Sequence, residues 1–297
     1  MIDELDAALT RPDLAEGVAD KLTQLKKVLA ADPQARLTSF SLAAGEPHAV
    51  MTFGDIDSAD LVVYLLHGID TNLGHFPSWA DAAQRVCADV IRACVVRGMP
   101  RSVATIAWFA WDSGDQLSAR ATRHATIGAA RLAVDIEHLV QRNPRAHIAV
   151  VTYSYSSTLL GEMFAMRIAD DVRTAFSIAS AGMTHPAADA VADAIAAGEV
   201  MMYATEGASD SIAPLGRLGQ HPVDPRSIGG VITYECDGGE APGPDGTAVV
   251  GISVEGHASQ SWVDEHGLKH TGYFDPRAQG YLTLVARLTD AAVGTAR

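Results

Sequence analysis

His147–Glu162 reads HIAVVTYSYSSTLLGE, and the fold turns on how this stretch is parsed. An apolar run, Ile148–Val151, ends in Thr152-Tyr153-Ser154-Tyr155-Ser156, and Leu159, Leu160, Met163 and Phe164 then recur at helical spacing. A strand that passes into a helix through a serine is the layout of a nucleophile elbow, with Ser154 at the apex of a strained turn. The turn presses together the residues two before and two after the apex, so both must be small. They are Thr152 and Ser156 where glycine is usual. A non-glycine residue held in such a backbone costs about 1–3 kcal/mol, which the flanking strand and helix must offset. A serine-rich helix N-cap would produce the same letters, because Ser and Thr favour that position.

Strands and helices alternate on both sides of this junction. Upstream, Leu61–Leu66 (LVVYLL) is the continuous apolar run of a strand buried on both faces. A helix over 78–97, a strand over Val103–Ala110 and a helix over Ser118–Gln141, stopped by Asn143-Pro144, follow it. Downstream, Ala175–Ser180, a helix over 186–197 and Val200–Thr205 form another β-α-β step. Nearer the start, Leu14, Val18, Leu22, Leu25 and Leu29 share a helical face, with Asp13 as N-cap and Asp32-Pro33 as stop. Leu37–Leu42 and Ala49–Phe53 read as a hairpin turning at Gly45-Glu46-Pro47. Toward the end, Val231–Glu235 and Val249–Val254 read as strands separated by the turn-rich DGGEAPGPDG (237–246), and the last helix covers 276–293. The Pro- and Gly-rich segment 207–229 reads as a long loop of the kind that serves as a lid. Uninterrupted alternation predicts an α/β fold, a mostly parallel central sheet covered by helices on both faces. The main domain is expected over 46–297, with 1–45 as a helical extension plus the first strand.

Composition narrows the function. Of 297 residues, 48% are hydrophobic and 20% charged, the balance of a globular chain. Against 22 Lys and Arg stand 36 Asp and Glu, a net charge of −14 that repels phosphate backbones and anionic lipid. Nucleic-acid partners are therefore not expected, and no apolar run reaches the roughly 18 residues of a membrane span. The start, MIDELDAALTRPDLAEG, is acidic where an export signal would be basic. Three cysteines cannot make a disulfide framework, and Cys87 and Cys94, two helical turns apart, cannot bridge. These features predict a cytoplasmic location and buried thiols.

If Ser154 is a nucleophile, it needs a base and an orienting acid, which in an elbow of this type follow in the order acid, then histidine. Asp210, in Glu206-Gly207-Ala208-Ser209-Asp210, stands just past the end of a strand; Asp237 and Asp264 are weaker alternatives. Two histidines compete for the base: His257 in Glu255-Gly256-His257-Ala258 and His270 in Lys269-His270-Thr271-Gly272-Tyr273-Phe274. His266 and His270 have zinc-chelating spacing, but Gly267 argues against a helix there and a third ligand is missing. No metal or cofactor is expected. The oxyanion of the reaction needs two backbone donors, Tyr155 N–H after the serine and Ile69 N–H in His67-Gly68-Ile69-Asp70, with Asp70 as the fallback. Trp108 and Trp111 read as wall or core and Asp112 as a structural hydrogen-bonder, whereas Phe76, Trp79, Met183, Ile212 and Leu215 are expected to line an apolar substrate site.

These residues resemble an α/β-hydrolase family found mainly in actinobacteria and catalogued as a domain of unknown function. The resemblance runs from about 30 to 290. It rests on Ala30–Phe53, on Gly54-Asp55-Ile56-Asp57-Ser58-Ala59-Asp60, on His67-Gly68, on Ala107-Trp108, and most specifically on Tyr153-Ser154-Tyr155-Ser156-Ser157. There the family has His-Ser-Tyr-Gly-Ser after a glycine, so Thr152, Tyr153 and Ser156 depart from it. Ser209-Asp210 and His270 with Tyr273-Phe274 fall where such proteins place acid and histidine. The resemblance implies a serine-hydrolase fold with Ser154, Asp210 and His270 as triad, and it tips the histidine choice to His270. The expected activity is hydrolysis of a small-molecule carboxylic ester, or an amide or thioester, with neutral or cationic esters favoured by the net charge. The alternatives are a catalytically silent binding module, which an out-of-reach His270 would favour, and an acyltransferase using the same triad.

Overall fold

The alternating runs build one eight-stranded sheet in the computed structural model, which describes residues 2–42 and 47–294. Its strands are β1 (Ala35–Ser41), β2 (His48–Phe53), β3 (Leu61–Leu66), β4 (Val103–Phe109), β5 (His147–Tyr153), β6 (Val172–Ile178), β7 (Met201–Thr205) and β8 (Ile232–Thr233). They lie in the order β1-β2-β4-β3-β5-β6-β7-β8. β1 pairs antiparallel with β2, and β2 with β4; all other pairs are parallel.

The sheet is covered on both faces. Helices α1 (Ile2–Leu9), α2 (Glu16–Ala31), α3 (Phe76–Val96) and α8 (Gln279–Val293) share one core with Leu61, Val63 and Leu65. Helices α4 (Arg123–Arg142), α5 (Ser156–Ala165) and α6 (His185–Ala196) share the other with Val62, Tyr64 and Leu66. Successive β3 side chains thus enter different cores, which is why the run is apolar throughout. Each buried Val or Leu contributes about 1.5–3 kcal/mol. The parallel strands bring the chain ends after β3, β5 and β7 to one edge of the sheet, where open α/β sheets gather their functional groups. A short helix α7 (Ala213–Gly216) lies in the long loop after β7.

Several local expectations are corrected. α1 has no counterpart in the sequence reading; it is a short helix that buries Leu5 and Ala8. α2 starts behind Ala15 without a side-chain cap, because the carboxylate of Asp13 is held by Arg11 at 2.7 Å. The Gly45-Glu46-Pro47 turn falls largely on 43–46, outside the described residues. DGGEAPGPDG is mostly strand: β9 (Asp237–Pro242) pairs antiparallel with β10 (Ala248–Ser253) in a separate two-stranded ribbon. The turn itself shrinks to Gly243–Thr247, closed by a 2.7 Å bond from Gly243 N–H to the Thr247 carbonyl. Glycines at positive φ in β9, Gly238 and Gly239, let it follow the twist, so a turn-like composition becomes a strand once a partner supplies hydrogen bonds. A second ribbon joins β11 (Trp262–Val263) and β12 (Lys269–His270). All three cysteines are buried and unpaired, and among the described residues no helix is long and apolar enough to cross a membrane.

Candidate active site

β5 ends at Tyr153 and α5 starts at Ser156, so the two residues between them must reverse the chain. Ser154 does so at φ +57°, in the left-handed region that a non-glycine residue adopts at a cost. Its N–H donates to the Ile178 carbonyl at 2.9 Å, and its carbonyl accepts from Ser157 Oγ at 2.6 Å and from Ala181 N–H at 3.2 Å. The two residues that replace glycine are accommodated by their hydroxyls. Thr152 Oγ1, fully buried, donates to the Phe176 carbonyl at 2.7 Å. Ser156 Oγ accepts from Tyr153 N–H at 2.8 Å and lies 3.1 Å from the Leu66 carbonyl. Across the turn, Gly68 lets the chain after β3 come close: a Cβ there would sit 3.0 Å from that of Ser154.

The histidine that reaches Ser154 is His257 and not the expected His270. His257 Nε2 lies 2.8 Å from Ser154 Oγ, and its Nδ1 lies 2.7 Å from Asp210 Oδ2. A carboxylate only accepts, so this contact puts the ring proton on Nδ1 and leaves Nε2 to accept from the serine. His270 does not join them. It sits in the β11–β12 ribbon with Nδ1 on Glu255 at 2.8 Å and Nε2 on Asp264 at 3.1 Å, and Trp262 is stacked on its ring. The Asp264 and Glu255 carboxylates raise its imidazole above the ordinary histidine range. The physical reason for the exchange is that β10 and β12 carry the chain away from the sheet edge, while 255–260 between the two ribbons returns across the elbow.

Asp210 is held from every side. Its Oδ1 accepts from Ile212 N–H and Ala213 N–H, both at 3.0 Å, and its Oδ2 from His257 and from Tyr273 Oη at 2.9 Å. Burial pushes the carboxyl up, but bonds from His257, Ala213 and Tyr273 outweigh it and keep the group below its ordinary value. The Tyr273 hydroxyl also accepts Gly207 N–H at 2.9 Å, and burial, with Asp210 alongside, pushes its phenol far up. Of the weaker acids, Asp237 accepts Ala208 N–H at 2.7 Å and Asp264 belongs to His270. Two supporting residues had no role in the sequence reading. Tyr273 is one; the other is Tyr153, whose hydroxyl donates to the His257 carbonyl and whose ring lies 5.3 Å from that of His257. Tyr153 was visible only as a departure from the family's pattern.

Ser154, His257, Tyr155 and Ile69 line one cavity of about 640 Å³, together with Ile212 and Leu215. Asp70 N–H is taken by the Gly114 carbonyl at 3.1 Å, whereas Ile69 N–H and Tyr155 N–H donate to no group among the described residues. Phe76, Trp79 and Met183 do not reach the cavity. All three are core: Phe76 and Trp79 pack on Phe109, and Met183 bonds through its backbone to Val223. Trp108 is core and donates to Asp135 at 2.6 Å, Trp111 is buried against Tyr155, and Asp112 accepts Gly114 N–H. His67, packed among the rings of Trp79, Phe109 and Trp111, is driven by burial to a pKa of about 4. Among the described residues no group of three or more His, Cys, Asp or Glu is placed to hold a metal ion.

The chain is similar to a family model and to a number of solved structures. Among solved structures, a thioesterase-like protein from Silicibacter sp. TM1040 is 13% identical over 96% of this chain and 98% of its own, with a TM-score of 0.49. An esterase from Pyrococcus furiosus is 10% identical over 67% and 80%, with a TM-score of 0.39. A lidless serine hydrolase from Xanthomonas campestris is 13% identical over 68% and 84%, with a TM-score of 0.40. No curated protein matches the chain. The family described as alpha/beta hydrolase matches residues 43–220, more than half of the chain and inclusive of Ser154 and Asp210, and the chain therefore belongs to the alpha/beta hydrolase family.

Proposed function

We propose that the chain is a serine hydrolase that cleaves a carboxylic ester, or a thioester or amide, through an acyl-enzyme on Ser154. The supporting observation is the unbroken contact from Asp210 Oδ2 through His257 to Ser154 Oγ, 2.7 and 2.8 Å, ending in the cavity. Ser154 Oγ attacks the acyl carbon as His257 Nε2 takes its proton. The oxyanion that forms is assigned to Tyr155 N–H and Ile69 N–H, the two unengaged donors beside the serine. Collapse expels the alcohol, thiol or amine, which takes the proton from His257. Water then repeats the sequence on the acyl-enzyme, releasing the acid and restoring Ser154. Asp210 keeps the imidazole in the required tautomer and balances its charge when protonated. Ile212 and Leu215 supply apolar wall for the acyl group.

The silent-module reading was to gain from an out-of-reach His270, but His257 supplies the base in its place. The test is labelling with a fluorophosphonate probe, with the modified peptide mapped by mass, and hydrolysis of short p-nitrophenyl esters. Ser154 should be labelled, and Ser154→Ala should lower kcat by on the order of 10⁴–10⁶. No labelling of well-folded protein, with hydrolysis unchanged in Ser154→Ala, would overturn the proposal. Product analysis with a competing alcohol separates hydrolysis from acyl transfer.

A further inference from the structure

The cavity at Ser154 is bordered on one side by two loop segments that meet each other. Residues 116–120 follow β4, and 212–220 follow β7; Gln220 N–H donates to the Arg120 carbonyl at 2.8 Å. His221 ties the same segments, with Nε2 2.7 Å from the Ala119 carbonyl and Nδ1 2.7 Å from that of Ala181. Gly219 makes the approach feasible, since a Cβ there would lie 2.5 Å from the Arg120 carbonyl oxygen. The rim is therefore a fixed surface and not two independent loops.

That rim has an unusual composition for an acidic protein. Leu117, Ile212, Leu215 and Leu218 are 76%, 53%, 59% and 81% exposed, large apolar side chains left in water around a cavity mouth. Ile212 and Leu215 line the cavity itself. Large exposed apolar side chains in the segments that border a cavity point to a binding site. Within it stands Arg120, the only Arg or Lys among the residues lining the cavity. It is exposed and has no side-chain hydrogen bond or ion pair with any described residue. Among the described residues the only carboxylate lining the cavity is that of Asp70, in the loop after β3, and no ion pair joins it to Arg120.

We propose that the substrate is an anionic amphiphile: an acyl ester or thioester with an aliphatic chain and a carboxylate or phosphate group that docks on Arg120. This deepens the serine-hydrolase reading and rests on it. The chain lies against Ile212 and Leu215, and water is released from the exposed leucines around them. The anion meets Arg120, the one Arg or Lys of the cavity lining among the described residues. The site thus takes a charge that the whole-chain balance of −14 disfavours, because the ionisable groups at the mouth and not the sum decide at contact distance.

The experiment compares charged and neutral substrates of equal chain length. One arm puts the anion on the acyl side, mono-4-nitrophenyl suberate against 4-nitrophenyl octanoate. The other puts it on the leaving side, 4-carboxyphenyl octanoate against phenyl octanoate corrected for leaving-group reactivity with free hydroxide. In at least one arm the intact protein should favour the charged ester in kcat/KM by about three- to fivefold, less at high salt, and Arg120→Gln should abolish the preference, read as the ratio of the two esters within each variant. A neutral preference in both arms, or a charged preference retained in Arg120→Gln, overturns the proposal. If no ester at all is cleaved, the hydrolase reading has failed instead, and binding then decides. Titration calorimetry of the Ser154→Ala protein should show octyl phosphate binding that Arg120→Gln weakens and octyl glucoside binding that it does not. Equal effects on both ligands, or no binding of octyl phosphate, overturn the proposal.

Discussion

Tyr273→Phe removes one oxygen atom and with it two bonds. The hydroxyl donates to Asp210 Oδ2 at 2.9 Å and accepts Gly207 N–H at 2.9 Å, and the residue is only 3% exposed, so water does not readily replace it. A hydrogen bond to a charged group contributes about 1.5–3 kcal/mol, and an N–H left buried without a partner costs about 1–3 kcal/mol. The substitution should therefore destabilise the protein by about 2.5–6 kcal/mol at neutral pH. The two parts differ in pH dependence. Asp210 has a depressed folded-state pKa, so its contribution is fully present above the unfolded carboxyl value of about 3.9 and is lost as pH falls through the lower folded value. Loss of the Tyr273 bond raises the folded value and shrinks that contribution, whereas the Gly207 part does not titrate.

Urea unfolding of both proteins at pH 7, and in steps from pH 5 downward, reads this directly. The stability difference should be largest at neutral pH and narrow below about pH 4, leaving the Gly207 residue of the effect. Catalysis should suffer less than from loss of the acid itself, because Asp210 keeps His257, Ile212 N–H and Ala213 N–H. A drop in kcat of about tenfold is expected, equivalent to about 1.4 kcal/mol. Parallel stability curves at all pH values would show that the hydroxyl does not serve the ionised carboxylate. An unchanged stability at pH 7 would refute the reasoning outright.

Two further substitutions test the site against the sequence reading. His257→Ala should lower kcat on p-nitrophenyl esters by on the order of 10⁴–10⁶, while His270→Gln, which touches Glu255, Asp264 and Trp262 and not Ser154, should stay within about threefold; the reverse order would favour His270 as the base. Thr152→Gly, which brings in the glycine usual at this elbow position, should lower stability by about 1.5–2.5 kcal/mol in thermal unfolding, because it loses the bond to the Phe176 carbonyl and loosens β5; a gain in stability would mean that Thr152 strains the turn.

The parts legible in the sequence were those written in local periodicity. Six apolar letters at Leu61–Leu66 suffice for a strand whose two faces are both covered, and the β5–α5 junction is explicit in Ile148–Phe164. Asp210 could be singled out as a candidate because it stands just past the end of β7. The choice between His257 and His270 was of another kind. Both are lone histidines in loops after the acid, and what separates them is long-range pairing. Val254 N–H bonds to the Cys236 carbonyl at 2.9 Å, Ile252 N–H to that of Arg277 at 2.9 Å, and Glu255 N–H to that of Thr271 at 2.8 Å. Those bonds place 255–260 over Ser154 and His270 out on a ribbon, and no periodicity encodes them. Phe76, Trp79 and Met183 failed for a related reason: an apolar letter has the same meaning in a cavity wall and in a core, and only the packing tells them apart.

The elbow shows why residues that depart from a pattern must be weighed together. Taken singly, Thr152, Tyr153 and Ser156 each look like damage to a tight turn. Taken together, they form one bonded set: Thr152 ties the strand to β6, Ser156 joins the turn to the end of β3, and Tyr153 reaches the carbonyl of His257. The strain at Ser154, about 1–3 kcal/mol, is of the same order as two or three such bonds at about 1 kcal/mol each, so the turn can do without both glycines. Tyr153 also couples the elbow to the loop that carries His257. Its phenol, pushed up by burial and then by Asp210, stays protonated at neutral pH and keeps donating. A histidine at position 153 would itself titrate near neutral pH and could not guarantee that bond. Tyr153 thus makes the position of His257 depend on a non-titrating donor.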